Sequence, residues 1–426
     1  MSFFSKDFAF TDESKALLKQ LAITEDAPGS ILHDFQQVLD LARATPLALT
    51  PGSLLAMASL PLINERLKYP IHHDLKRPQQ KAFPAIHGLY LLLRASGLTK
   101  TEVIGKKPVL TVNEDIYPQW LALNPTERYG YLLETWLLRG NTEILGERGI
   151  MNNMEDIASF IGRYNPQNGL VVQGKYTLEQ DLRYTPGIHN LGLLHLFGFV
   201  DIQTGTPLPG KGWFIEKITL TPFGTAMLAC VFSEVAKDRE TFFESLITPM
   251  ASFGVLQRAL QQYLPQWQKT IQLPAHEFRA GVYIFKVALG KIWRQIAIDG
   301  ERSLDMLAWG ILGSVGFDGD HLYEFSYSNP LGITETVYHP YMEETPATDE
   351  LGVGDLPIEV GQTINFLFDF GDSWEFTLTL EAIMPEERLD QVEVRDSFGE
   401  APEQYPDWYS EEDDDDIGDD EEDEAF

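Results

Sequence analysis

Residues 366–381, FLFDFGDSWEFTLTLE, carry the pattern that decides the fold of the C-terminal third of the chain. Apolar and polar residues partly alternate on both sides of a short polar break, which is typical of β-strands with one buried face. The break, Asp369-Phe370-Gly371-Asp372, has the Asp and Gly residues expected at the tip of a hairpin. The stretch therefore predicts two antiparallel strands.

The region before this hairpin continues the strand pattern and adds one helix. Gly281 to Ile298 is rich in β-branched and aromatic residues, which predicts further strands. Ser303 to Val315 has apolar residues at helical spacing, and Ser303 is a favoured N-cap residue. The predicted buried stripe of this helix is Leu304, Leu307, Ala308 and Ile311.

Several landmarks occur in a fixed order along this region. They are an opening strand from Val282, then Trp293-Arg294, the helix, Asp320-His321-Leu322-Tyr323-Glu324-Phe325, the 366–381 hairpin and Ala401-Pro402-Glu403-Gln404-Tyr405. With these landmarks, roughly Phe278 to Trp408 resembles the plasmid pRiA4b ORF-3-like family. Members often carry a Cys near the position of RDSFGEAPEQYP, residues 395–406, which this chain lacks. No role tied to that Cys therefore carries over.

The resemblance implies a fold but no activity. It implies an α+β domain with a curved antiparallel sheet and a packed helix, and a history among plasmid and transposon passenger genes. Residues 76–98 and 122–140 resemble the N-terminal half that is often fused to this domain.

The N-terminal half is predicted to be mostly helical, with two winged-helix-like units. In the first, a helix at Phe83–Ser96 precedes a hairpin around Ile104-Gly105-Lys106. In the second, a helix at Pro186–Phe197 precedes strands at Phe199–Ile202 and Trp213–Leu220. The predicted domains are 1–140 with the first unit, 141–250 with the second, a connector at 251–277, the ORF-3-like domain at 278–409 and a disordered acidic tail at 410–426.

Three helix starts in this half are predicted from local signals. Thr11 and Ser30 are N-cap candidates, because a short side-chain oxygen can accept a hydrogen bond from a free backbone amide. Thr50-Pro51 is a further candidate start, with Pro at the first helical position.

The net charge of −32 lies almost wholly in the second half of the chain. Residues 1–250 contain 23 basic and 26 acidic residues, whereas 251–426 contain 9 basic and 38 acidic residues. The acidic second half repels phosphate, so binding of nucleic acid is expected only at the N-terminal half. No apolar run approaches the ~20 residues of a membrane span, and cytoplasmic localisation without membrane contact is expected.

The best polar constellation suits either a metal site or a structural network. Carboxylates with one imidazole suit Mg²⁺ or Mn²⁺, or general acid–base chemistry. The same residues equally suit turns and a hydrogen-bonded network in which Arg294 pairs with a carboxylate. No cofactor is predicted. The candidate cluster is Arg294, Asp320, His321, Glu324, Asp369, Asp372 and Glu375.

Two further sets of residues are candidates for binding. Four aromatic residues could line a groove, although strand alternation favours core packing for most of them. Three lysines on the first hairpin could contact phosphates. The groove candidates are Trp293, Tyr323, Phe370 and Trp374, and the phosphate candidates are Lys100, Lys106 and Lys107.

These observations favour a non-catalytic interaction or regulatory protein linked to mobile elements, with an unknown protein as its partner. Two alternatives stay open at this point. One is a metal-dependent enzyme that uses the acidic cluster, and the other is a DNA-binding regulator that uses the first winged-helix-like unit.

Overall fold

The computed structural model describes residues 9–105, 107–147, 152–238, 253–274, 276–330 and 333–405. The acidic tail predicted at 410–426 and the candidate Lys106 lie outside these residues. The chain divides into two compact units, one of residues 1–275 with 330–333 and one of residues 276–329 with 334–426. The predicted α+β fold is confirmed, with helices and antiparallel sheets in both units.

The first unit is mainly helical, with two small sheets. Its helices are Asp12–Gln20 (α1), Ile31–Ala44 (α2), Leu60–Asn64 (α3), Pro84–Ala95 (α4), Tyr117–Leu121 (α5), Pro125–Glu134 (α6), Asn153–Tyr164 (α7), Tyr176–Asp181 (α8), Ile188–Leu196 (α9), Pro222–Lys237 (α10) and Val255–Leu260 (α11). Its strands are Leu47–Ala48 (β1), Thr99–Ile104 (β2), Lys107–Val112 (β3), Leu170–Val171 (β4), Val200–Thr204 (β5) and Ile215–Leu220 (β6).

Local capping signals predicted some helix starts and missed others. The Thr11 side chain accepts from the backbone amide of Ser14 and caps α1 as predicted. Ser30 precedes α2 but donates its hydroxyl to Asp34 at 2.7 Å, so it does not cap the helix amides. The helix predicted at Thr50-Pro51 is wrong, because Thr50 accepts from the amide of Leu54 and forms a turn.

The same order of elements occurs twice in this unit. Each group consists of a helix, a short strand, two more helices and a hairpin. The first group, from α2 to β3, forms the sheet β1-β3-β2, and the second, from α7 to β6, forms the sheet β4-β6-β5. The helices that precede the two hairpins, α4 and α9, pack against each other. Gly88 permits the close approach, since a Cβ there would lie 2.6 Å from the Leu193 Cγ. Both helices are therefore buried on their shared side.

The segment predicted as a connector packs into the core of the first unit. Trp267 is fully buried, and its indole lies where a Cβ at Gly130 would be. Glu127, which caps α6 in a capping box with Asn124, also accepts from the amide of Lys269 at 2.9 Å. Backbone and side-chain contacts thus fix residues 253–274 to α6.

The second unit is one antiparallel sheet of seven strands with a helix on one face. The strand order is β10-β9-β11-β12-β7-β8-β13, and all neighbours are antiparallel. Its elements are Val282–Leu289 (β7), Ile292–Asp299 (β8), Leu304–Val315 (α12), Tyr323–Ser328 (β9), Thr334–Tyr338 (β10), Thr363–Phe368 (β11), Trp374–Met384 (β12) and Glu393–Phe398 (β13).

Strand alternation divides this sheet into a core face and an outer face. Alternate residues such as Phe325, Phe366 and Phe376 are buried with the stripe of α12 that begins at Leu304. The hairpin predicted at 366–381 is confirmed, since Phe368 pairs with Trp374 around the tip. The residues between the core positions point to the other face.

Among the described residues, none of the helices combines the length and the apolar character that crossing a lipid bilayer requires.

Candidate functional site

The sheet brings together three of the seven residues of the predicted polar cluster. Asp320 and His321 lie in the loop that leads into β9, and Asp369 directly follows β11, the neighbouring strand. The amide of Asp369 donates to the carbonyl of Leu322 at 3.0 Å, which extends the β9–β11 pairing beyond the strand ends. This backbone bond holds the two short segments side by side.

His321 faces the carboxylates of both neighbours. Its Nε2 lies 3.6 Å from the Asp369 Oδ2 and 3.9 Å from the Asp320 Oδ2. The side chain of His321 is 45% exposed and that of Asp369 is 9% exposed, so solvent reaches the imidazole but hardly reaches the carboxylate. The imidazole therefore lies beside two carboxylate oxygens, one from the same loop and one from the neighbouring strand end.

The Asp369 carboxylate is occupied by its own turn. Its Oδ1 accepts from the amide of Gly371 at 2.9 Å and from that of Asp372 at 3.4 Å. The residue has φ of 55°, a left-handed conformation that Asp tolerates because its short side chain bonds locally. Asp369 therefore shapes the hairpin tip and offers only its Oδ2 toward His321.

Asp320 is held by two residues that the sequence analysis placed in a landmark but not in the cluster. The Tyr405 hydroxyl lies 3.0 and 3.1 Å from the two carboxylate oxygens, and the Gln404 Nε2 lies 3.3 Å from Oδ1. Partial desolvation raises the pKa of Asp320, but the Tyr405 hydrogen bond and further bonds outweigh it and leave the pKa below its usual value. The order of landmarks signalled these residues, but their contact spans 85 residues of sequence.

Replacing Tyr405 with Phe is expected to raise the pKa of Asp320, because the change removes the hydroxyl that stabilises the ionised carboxylate. The pKa can be followed by side-chain carboxyl NMR over a pH titration. Tyr341→Phe is the matched control, since Tyr341 is 84% exposed and its hydroxyl has no hydrogen bond among the described residues. An unchanged pKa in the Tyr405 variant would contradict the hydrogen bond.

Arg294 does not join the cluster. It occupies a core-facing position of β8 and is 8% exposed. Its guanidinium donates to the carbonyls of Ser314 at 3.0 Å, Trp293 at 2.9 Å and Phe398 at 3.1 Å. Within the described residues it forms no ion pair, so the predicted pairing with a carboxylate is corrected: backbone carbonyls are its partners.

Glu324 and Glu375 lie on the outer face of the sheet, away from the loop cluster. Leu367 on β11 lies between them, because it pairs with Glu324 on β9 and with Glu375 on β12. Burial and the nearby Glu344 raise the pKa of Glu324. Asp372 is exposed at the hairpin tip. The alternation of strand residues thus separates Glu324 and Glu375 from His321, whereas Asp372 lies at the hairpin tip outside both strands.

The four aromatic candidates do not share one groove. Tyr323 is 2% exposed in the core and donates its hydroxyl to Asp305, whereas Trp293 lies on the outer face. Trp374 packs edge-on against Phe317 with ring centroids 4.8 Å apart. Phe370 is 44% exposed at the hairpin tip. The outer-face ring, Trp293, instead stacks with Phe398 at 6.4 Å and lies under the Lys286 ammonium at 4.8 Å.

The lysines of the first hairpin provide little free positive charge. Lys100 pairs with Glu102 on the same strand at 2.8 Å. Lys107 is exposed at the start of β3, and Lys106 lies outside the described residues. Of the two described lysines in the set, Lys107 is thus the one that forms no ion pair with another described residue.

The geometry of the cluster suits proton transfer better than metal binding. His321 is solvent-reachable and lies beside two carboxylates, which suits proton transfer to or from a bound group. Among the described residues, no group of three His, Cys, Asp or Glu side chains is placed to hold a metal ion.

The C-terminal sheet region matches a known family. Residues 282–404 match the model described as plasmid pRiA4b ORF-3-like protein. No curated protein matches the chain. Among solved structures, the chain is similar to a protein of unknown function, MM3350, from Methanosarcina mazei Go1, with 24% identity over 28% of this chain and 69% of that one and a TM-score of 0.24. The C-terminal third of this chain, at residues 282–404, therefore carries a plasmid pRiA4b ORF-3-like domain.

Proposed function

We propose that the protein is a non-catalytic interaction protein whose ORF-3-like domain binds a basic, extended segment of a partner protein. The edge strand β13 carries the proposal. All six of its residues, Glu393–Phe398, are exposed, and among the described residues it pairs only with β8. An unpaired edge presents backbone amides and carbonyls to which a further strand can add.

The other edge of the sheet is covered by the chain itself at Tyr338, the last residue of β10. The amide of Tyr338 in β10 donates to the carbonyl of Pro346 at 3.0 Å, and the amide of Thr348 donates to the carbonyl of Tyr338 at 2.9 Å. The end of β10 is therefore already paired on its outer side, whereas no described residue pairs with the outer side of β13, which favours β13 as the place where a partner strand adds.

The charge around β13 favours a basic partner. Residues 276–409, which leave out the acidic tail, hold 26 acidic and 7 basic residues, so the field of this unit attracts cations at long range. Asp396 faces outward on β13, and Arg395 is engaged with Glu387 at 3.2 Å. Phe398, 60% exposed, adds an aromatic contact beside Asp396. A segment that alternates basic and apolar residues matches this pattern.

The first unit gives no support to the DNA-binding alternative. A winged-helix protein reads DNA with the helix before its hairpin. Here α4 and α9 occupy that position and pack against each other, with His87, Arg94 and His189 buried. The name of the matched family refers to a plasmid, and we propose a link to mobile elements for this protein as well.

The enzyme alternative rests on the cluster of Asp320, His321 and Asp369. The Asp369 Oδ1 accepts from the amides of its own turn and Asp320 is bonded to Tyr405, and among the described residues no group of three His, Cys, Asp or Glu side chains is placed to hold a metal ion. Saturable binding of Mn²⁺ that disappears in Asp369→Asn would revive it.

The binding proposal predicts that a labelled peptide of alternating Lys and Val, about ten residues long to match a strand, raises fluorescence anisotropy on mixing with the protein. The matching Glu–Val peptide and duplex DNA at physiological salt are expected not to bind. A chain truncated after Tyr409 should retain binding, because the proposed contact is β13 and not the 12 acidic residues of 410–426.

Two double variants locate the contact. Phe398→Ala with Asp396→Asn is expected to weaken binding about tenfold or more, from the loss of one apolar and one charged contact. Phe370→Ala with Asp372→Asn makes the same chemical change at the hairpin tip and should leave binding unchanged. Equal effects of the two variants, or loss of binding on tail truncation, would refute the β13 site.

A further inference from the structure

Strand β2 forms an exposed edge of the first sheet of the first unit. The strand order is β1-β3-β2, and within the described ranges β2 pairs only with β3. From Lys100 to the end of the strand every residue is exposed or half-buried, and Val103 is 71% and Ile104 54% exposed. A strand edge that leaves backbone groups unpaired and apolar side chains in water is a site where a further strand can add.

The hydrogen bonds of the sheet show which residues of β2 face this open edge. Along an antiparallel strand, residues alternate between bonding to the neighbouring strand and facing away from it. The carbonyl of Leu98 accepts from the amide of Asn113 at 2.9 Å, so Leu98 bonds on the β3 side. The carbonyl of Pro108, which lies opposite Val103, instead accepts from the amide of Leu49 at 2.9 Å, on the β1 side. The alternation therefore directs outward the backbone groups of Thr99, Thr101 and Val103.

This polarity limits how a second copy of β2 can pair with the first. Two antiparallel strands bond only where outward residues lie opposite outward residues. A register centred on Thr101 meets this condition, because Thr101 then faces Thr101 of the second copy and the two exchange a pair of hydrogen bonds. Thr99 is only 5% exposed, so the exposed stretch from Lys100 to Val103 makes the contact.

The charges of β2 select the same register. With Thr101 at the centre, Lys100 of each copy lies opposite Glu102 of the other, whereas a register centred on either charged residue sets like charges opposite each other. In one chain the Lys100 Nζ already lies 2.8 Å from the Glu102 Oε1. The two pairs then form a square of alternating charges, in which each lysine has two carboxylate neighbours. Val103, on the same face of the strand as Thr101, lies diagonal to Thr101 of the second copy in this register and loses contact with water.

We propose that the protein forms a two-fold symmetric dimer through β2, in which the two three-stranded sheets join into one sheet of six strands. The symmetry closes the contact, so that no second β2 edge is left for further copies. A single strand pair is a small contact, and its exposed ion pairs contribute little. The dimer is therefore expected to be weak, with a Kd of about 10–100 µM. The proposal is independent of the β13 contact, because it concerns the first unit alone.

Sedimentation velocity of the full chain over about 1–300 µM, a range that brackets this Kd, tests the proposal. Physiological salt screens the repulsion between two copies that each carry a net charge of −32. The weight-average sedimentation coefficient is expected to rise with concentration and to fit a monomer–dimer equilibrium. A chain that stays monomeric across the range, or one that grows into open-ended assemblies, overturns the proposal.

Two charge variants test the register. Lys100→Glu and Glu102→Lys each set like charges opposite each other across the axis, and each is expected to weaken self-association about tenfold. An equimolar mixture of the two variants should recover the wild-type affinity, because each lysine again meets a carboxylate across the axis. Lys107→Glu makes the same charge change on β3 and should associate as the wild type does. A mixture that associates no more strongly than either variant alone refutes the assignment.

Thr101→Pro tests the backbone pairing. Proline removes an N–H that faces the open edge and is not needed for the pairing with β3, and edge strands tolerate proline at such a position. The variant is expected to lose measurable self-association, while circular dichroism shows the wild-type melting temperature. Wild-type self-association in a folded Thr101→Pro variant would exclude β2 as the contact.

Discussion

His189→Gln is expected to remove much of the acid sensitivity of the first unit. His189 is 3% exposed, and its Nε2 lies 2.9 Å from the Asn153 Oδ1, which accepts from it. The Nδ1 has no partner among the described residues, so a second proton there would be buried without an acceptor. Burial lowers the pKa of His189 from 6.5 to about 3, and the neighbouring His87 adds to the effect.

The sign of this effect follows from proton binding. Between pH 6.5 and about 3 the unfolded chain binds a proton at His189 and the folded chain does not. Stability is therefore lost as the pH falls through this window. With about 1.4 kcal/mol per pKa unit, the loss reaches at most about 5 kcal/mol near pH 3.

Guanidinium unfolding of both proteins across this pH range measures the effect. Glu134 acts in the opposite direction, because burial raises its pKa to about 7 and its folded form holds the extra proton. The difference between variant and wild type removes such contributions. His72→Gln, at an exposed histidine of the first unit, is the control and should keep the wild-type dependence of the unfolding free energy on pH. If the unfolding free energy of the His189 variant depended on pH as that of the wild type does, the buried imidazole would not be the cause of the acid sensitivity.

Arg294→Met is expected to destabilise the ORF-3-like unit by about 2–4 kcal/mol, since a buried guanidinium bonded to three carbonyls is lost. Ser314 supplies one of these carbonyls from the last turn of α12, where the helix leaves acceptors unpaired. Phe398 supplies another from β13. Methionine fills part of the space of the aliphatic stem but donates nothing.

Hydrogen exchange resolves this effect by region. Amides of β13 and of the end of α12 should exchange faster in the variant, because Arg294 joins these elements to β8. Arg388→Met is the matched control. Arg388 also donates to two carbonyls, those of Pro385 and Glu387, but it is exposed, so water can replace it. If Arg294→Met and Arg388→Met changed stability and hydrogen exchange equally, the hydrogen bonds of the buried guanidinium would not be what stabilises this region.

Several elements could be predicted because their signals are local. The hairpin tip at Asp369–Asp372 and the caps Thr11 and Ser303 depend on side chains that bond within a few residues. The helix predicted to begin at Thr50 does not form. The Thr50 side chain accepts from the amide of Leu54, and the amide of Leu55 donates to the side chain of Gln80, so this segment forms a turn.

The candidate site was predicted in part. The nearness of His321 and Asp369 follows from the strand pairing of β9 with β11. Glu324 and Glu375 were grouped with them by sequence distance, but alternation turns both to the outer face. The winged-helix identity of the repeated groups and the domain limits within the first unit stay predictions.

The sequence by itself determined the hairpin at 366–381, the helix that begins after Ser303, the acidic character of the second half and the residues of the hairpin tip. Periodicity and charge are properties of short stretches, so they are fixed before the chain folds. Only the tertiary structure decided that Tyr405 holds Asp320, that Arg294 serves carbonyls and that α4 and α9 bury each other. These contacts join residues tens of positions apart, and their partners depend on which strands and helices become neighbours.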